Sequence, residues 1–128
     1  MDNSTPTWKG FELIQFSGIM RKEYHKLVRD RIPNIIAEEG HSYAIETLSE
    51  TEYRQALVTK LLEEAQELAA ATTPADFVTE LADVFEVIDA ILTTNGIDRE
   101  AVLAVQEERR NQRGGFEQRI KLLWVEHD

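Results

Sequence analysis

A mainly α fold, built on a central antiparallel helical hairpin with a third helix, is predicted by three observations. Apolar residues recur at helical spacing through three long segments. Short breaks at Thr72-Thr73-Pro74 and Asn95-Gly96 separate them. Candidate capping residues precede two of the segments. A small β element from residues 41–47 and the C-terminal tail is expected to complete the fold. At 128 residues the chain is about one domain long.

In chain order, residues 1–9 are rich in Asn, Ser, Thr and Pro, and residues 1–20 are read as a flexible N-terminal extension to a domain over 21–128. Phe11–Phe16 carries a weak strand signal. Pro33 fits the first turn of a short helix ending near Gly40. Tyr43 and Ile45 alternate with polar residues over 41–47, the pattern of a strand. Ser49 or Thr51 caps a helix to about Ala71, with Glu52 placed to close a capping box on Ser49. The second long helix runs from about Pro74 to Thr94. Asp98 caps the third, which ends at Gly114-Gly115. Ile120, Leu122 and Trp124 alternate in the tail, and Trp124 and Tyr43 are expected in the core of a small sheet.

Composition excludes several classes. There is no cysteine, hence no disulfide scaffold, thiolate zinc site or cysteine nucleophile. A formal net charge of -10 argues against binding a nucleic-acid backbone. No stretch approaches the ~20 apolar residues of a membrane span. The first 20 residues do not read as a secretory signal, which with the lack of cysteine favours the cytoplasm.

The acids are not evenly spread. On a wheel of about 100° per residue, Glu64 borders the apolar arc of the first long helix and Glu67 lies one turn on. Glu80 falls inside the arc of the second, between Val87 and Ile91, with Asp83 one turn on. In an antiparallel hairpin the pairs Glu67/Glu80 and Glu64/Asp83 fall at one level, so four carboxylates converge beside apolar surface. Mutual repulsion and lost hydration disfavour this arrangement. No Lys or Arg on either helix is levelled to neutralise all four, whereas a hard divalent cation, Mg²⁺ or Mn²⁺, would. His25, His41 and His127 all lie off the two helices, which argues against a di-iron carboxylate site. Glu63, Glu86 and Asp89 read as a solvated face.

Glu63-Glu64-Ala65-Gln66-Glu67 followed by Glu80-Leu81-Ala82-Asp83 resembles the EExxE…ExxD pattern of the all-α nucleoside triphosphate pyrophosphohydrolases, which include MazG-like, dimeric dUTPase-like and phosphoribosyl-ATP pyrophosphohydrolase-like enzymes. Tyr24-His25-Lys26-Leu27-Val28-Arg29-Asp30-Arg31-Ile32-Pro33 and Arg113-Gly114-Gly115-Phe116 resemble the opening and closing motifs of a house-cleaning pyrophosphatase subgroup. The resemblance covers about residues 21–125. It implies Mg²⁺-dependent conversion of NTP and water to NMP and pyrophosphate. It implies Glu64, Glu67, Glu80 and Asp83 as metal ligands, Glu63 as a further acid for water or a second metal, and Arg109 as a phosphate contact, with Arg113 standing where many relatives have lysine. Relatives often form homodimers or larger homo-oligomers.

Phosphoryl transfer asks chiefly for positioning and charge neutralisation. A chain of net charge -10 repels a triphosphate, so local cations have to reverse the field. Arg29 and Arg113 are candidate phosphate contacts alongside Arg109. The competing readings are phosphoribosyl-ATP hydrolysis and a non-catalytic helical module that binds a nucleotide or a protein.

Overall fold

The computed structural model describes residues 15–16 and 19–127, and side chains from 21 onward. Among the described residues four helices carry the fold: α1 (Ile32–Glu38), α2 (Glu50–Ala69), α3 (Pro74–Thr94) and α4 (Arg99–Arg113). Two short strands, β1 (Gln15–Phe16) and β2 (Ile19–Met20), pair antiparallel with Gln15 opposite Met20. The predicted strand at Phe11–Phe16 thus meets β1 at its end, and 11–14 lie outside the described residues. Residues 1–14, from most of the expected extension, lie outside them as well.

The helix boundaries follow local chemistry. Pro33 sits in the first turn of α1, where its missing N–H costs no hydrogen bond. Gly40, at φ +83°, reverses the chain beyond α1, and the His41 amide donates to the Ile36 carbonyl. Ser49 closes the predicted capping box. Its Oγ accepts from the Glu52 amide at 3.2 Å, and its own amide donates to Glu52 Oε1 at 3.2 Å. Thr73 Oγ1 accepts from the Asp76 amide at 3.1 Å and so caps the start of α3. Gly96, at φ +62°, ends the turn after α3, with the Ile97 amide donating to the Leu92 carbonyl at 2.9 Å. Asp98 takes the N-cap position of α4 with extended dihedrals, but its side chain makes no capping hydrogen bond, unlike the expectation.

One compact unit extends to Ile88 and a second begins at Asp89. In the first, Leu57 on α2 is 3% exposed. Glu64 and Glu80 are also buried there. Val87 on α3 completes the set of buried residues among those described. Leu57 and Glu64 are seven residues apart, as are Glu80 and Val87, so each helix turns one heptad-spaced edge inward. Of the other apolar residues of the α3 arc, Phe77, Leu81, Phe85 and Ile88 are exposed, and Val84, Ile91 and Leu92 are half-buried. In the second unit Asp89 pairs with Arg99 in an exposed ion pair.

The predicted β element is corrected. Residues 41–47 and 114–127 carry no strand, and Tyr43 and Trp124 are exposed rather than in a sheet core. Alternation selects a face only where a neighbouring strand accepts the backbone hydrogen bonds, and among the described residues neither segment has one.

Ser49→Ala is expected to cost about 1 kcal/mol of stability, read as a lower urea midpoint. Glu52 reports the same box through pH. Hydrogen bonds from the Ser49 hydroxyl, then from its amide, hold the Glu52 carboxyl below its usual value. A depressed folded pKa stabilises above the unfolded pKa and is lost as pH falls through the folded one. The parent is therefore expected to exceed Glu52→Gln in stability at neutral pH, with the difference fading in acid.

Candidate metal centre

Only residues 70–73 separate α2 from α3. The chain folds back there, because carboxylates from both helices meet. One oxygen each from Glu64, Glu67 and Glu80 lies within 4.8 Å of the others. Glu64 and Glu80 are buried and Glu67 is half-buried. The sequence places these acids on the inward edges: Glu64 one heptad beyond Leu57, Glu80 one heptad before Val87.

Buried carboxylates are costly unless hydrogen-bonded or paired with a cation. The Oε2 atoms of Glu64 and Glu80 are buried and accept no hydrogen bond. Three converging oxygens of hard-ligand type, two of the carboxylates with such an inaccessible oxygen, fit the coordination demands of a small divalent cation. The cluster can therefore hold a metal ion.

A cation reaches this cluster from α2. Lys60 Nζ lies 3.4 Å from Glu63 Oε2 and 3.5 Å from Glu64 Oε1, within α2 at i,i+3 and i,i+4 spacing. Its side chain is mostly buried, so the pair is better shielded than a surface ion pair. Glu63 is thus held beside the cluster rather than solvated. The Lys60 contact escaped sequence reasoning, which sought a cation levelled with all four acids. Its signal was the plain spacing of Lys60 to Glu63 and Glu64. Asp83, one turn beyond Glu80, lies outside the close trio, and its Oδ1 accepts from Arg29 Nη2 at 2.8 Å.

Of the other predicted phosphate contacts, Arg113 is the last residue of α4. Arg109 lies one turn earlier, at the edge of a shallow groove lined by Ile97, Ala101, Val102, Val105 and Gln106. Both belong to the second unit. No helix among the described residues is long and apolar enough to cross a membrane.

The family model described as phosphoribosyl-ATP pyrophosphohydrolase matches residues 21–110. An uncharacterized protein of Mycolicibacterium smegmatis is 54% identical over 48 residues, which cover 38% of this chain and 49% of that protein. The chain thus spans about half the length of this curated relative. No solved structure matches the chain. The four helices are those of a mainly α protein of the MazG-like kind. The chain belongs to the phosphoribosyl-ATP pyrophosphohydrolase family, within the all-α MazG-like NTP pyrophosphohydrolase superfamily.

Proposed function

We propose that this protein is a Mg²⁺-dependent nucleoside triphosphate pyrophosphohydrolase acting on non-standard or surplus nucleotides. The observation that carries this reading is the carboxylate trio Glu64, Glu67 and Glu80, gathered from two helices and largely buried. Glu64, Glu67, Glu80 and Asp83 are the residues that would hold the metal, with Mn²⁺ a substitute. Bound there, the metal supplies neutralisation of phosphate charge and Lewis acidity.

The chain's own residues do the rest. Glu63, held by Lys60, accepts the proton of the attacking water. The water oxygen bonds to the α-phosphorus, the bond from that phosphorus to the bridging oxygen breaks, and pyrophosphate leaves with the electron pair. Arg29, Arg109 and Arg113 bind phosphate oxygens, for which a guanidinium fork is well shaped. Phosphoribosyl-ATP is the competing substrate, favoured by the description of the matching family, and it undergoes the same cleavage. Self-association into a homodimer or larger homo-oligomer is supported by the exposed row Phe77, Leu81 and Phe85 on α3 and by Val58 and Leu62 on α2. A cytoplasmic location accords with the lack of cysteine.

Incubation with a panel of NTPs and phosphoribosyl-ATP in Mg²⁺, followed by ion-exchange separation, is expected to yield the monophosphate and pyrophosphate. A nucleoside diphosphate as main product removes the reading, and turnover of phosphoribosyl-ATP alone selects the competing substrate. Phe85→Glu is expected to shift the protein toward monomer in light scattering, while the parent remains associated.

Glu80 links stability to metal. Without Mg²⁺, Glu80→Gln relieves repulsion in the trio and is expected to melt at or above the parent. With free Mg²⁺ at 100 times its dissociation constant, the parent gains roughly 2.7 kcal/mol and the variant much less. Glu86→Gln, exposed on α3, serves as control. A Glu80→Gln protein that melts well below the parent without metal, yet responds fully to Mg²⁺, would make Glu80 a structural residue.

A further inference from the structure

Arg29 and Asp83 stand 54 residues apart in sequence, and their 2.8 Å ion pair ties the basic Tyr24–Pro33 segment to the acidic helix α3. The Asp83 side chain is 23% exposed and that of Arg29 is 55% exposed. Asp83 lies one helical turn from buried Glu80, yet it is drawn to Arg29 and stays outside the Glu64, Glu67 and Glu80 trio. On the function proposed above, each partner has a second use: Asp83 on the metal, Arg29 on a phosphate. The ion pair occupies both groups at once.

We infer that Arg29 and Asp83 form an exchange pair, in which the guanidinium holds Asp83 in the metal-free protein and passes to a substrate phosphate when Asp83 turns to the metal. This inference rests on the proposed metal and phosphate reading and adds the coupling between them. Three properties support it. A pair with a half-exposed guanidinium is weak, so a divalent metal drawing on Asp83 outcompetes it. A guanidinium recognises carboxylate and phosphate by the same forked geometry, so Arg29 changes partner without changing role. Metal and phosphate then assist each other by equal factors, as linkage requires. In a protein of net charge -10, the exchange keeps a phosphate-binding cation neutralised until the metal has entered.

The test is a calorimetric titration of the full chain with inorganic pyrophosphate, in metal-free buffer and in saturating Mn²⁺. The proteins are the parent, Arg29→Gln, Asp83→Asn and the double variant, each checked for helix content by circular dichroism. Without metal, Arg29→Gln is expected to bind pyrophosphate within twofold of the parent, because Asp83 already holds Arg29. Asp83→Asn is expected to bind it at least threefold tighter, and the double variant to lose that gain. With Mn²⁺, Arg29→Gln is expected to bind at least tenfold more weakly than the parent. An equal loss with and without Mn²⁺ overturns the exchange, since Arg29 is then available in both states. No loss in either state, or a gain from Asp83→Asn that survives in the double variant, overturns it too. The substrate reading is decided separately: release of a nucleoside diphosphate in the product assay sinks that reading, whereas these titrations judge the exchange alone.

Discussion

Two carboxylates, Glu64 and Glu80, are buried where α2 folds back on α3, and the rest of the site is arranged around that burial. A charge taken out of water without compensation destabilises a protein by several kilocalories per mole. Here the seam that carries them has Leu57 and Val87 as its buried apolar members. Lys60 lies against Glu63 and Glu64, and Arg29 against Asp83. Leucines at positions 64 and 80 would pack more favourably. A buried cluster of this kind could hold a metal ion, and the chain belongs to a pyrophosphohydrolase family.

Burial at that seam requires a fixed register between the helices, and the helix ends supply it. Thr73 caps α3 immediately before Pro74, so the helix begins at a defined residue after a connection of only four residues. The Ser49–Glu52 box defines the start of α2 in the same way. With both starts defined, the Leu57–Glu64 edge and the Glu80–Val87 edge turn inward together. A shift of one residue would rotate each edge by about 100° and separate the acids.

Charge presents the other constraint. The chain is strongly acidic, yet the proposed substrate is a polyanion. Cations held in ion pairs reconcile the two, because they are kept close to the site without attracting anions indiscriminately. The Arg29–Asp83 pair shows how a segment remote in sequence becomes part of an acidic centre on α3. The exposed apolar residues of α2 and α3 set a further requirement, since large apolar surfaces in water favour a covering partner.

Much of the fold and the whole acidic trio were legible in the sequence. Helical period, the Ser49–Glu52 spacing, Pro33, Pro74 and the Asn95-Gly96 stop depend on neighbours within one or two turns, and each predicts an element the structure contains. Glu64 and Glu80 were visible as acids on apolar edges because helix geometry alone determines which residues share a face. Lys60 was equally local, and its spacing to Glu63 and Glu64 could have revealed it. The strands predicted at 41–47 and in the tail did not form, because a strand is defined by a partner elsewhere in space. Which face of α3 turns inward, and that Arg29 lies on Asp83, were likewise decided by tertiary structure. Local sequence sets the propensities and caps of each helix, whereas contacts between residues far apart in the chain depend on how the elements pack, and no short-range pattern encodes that.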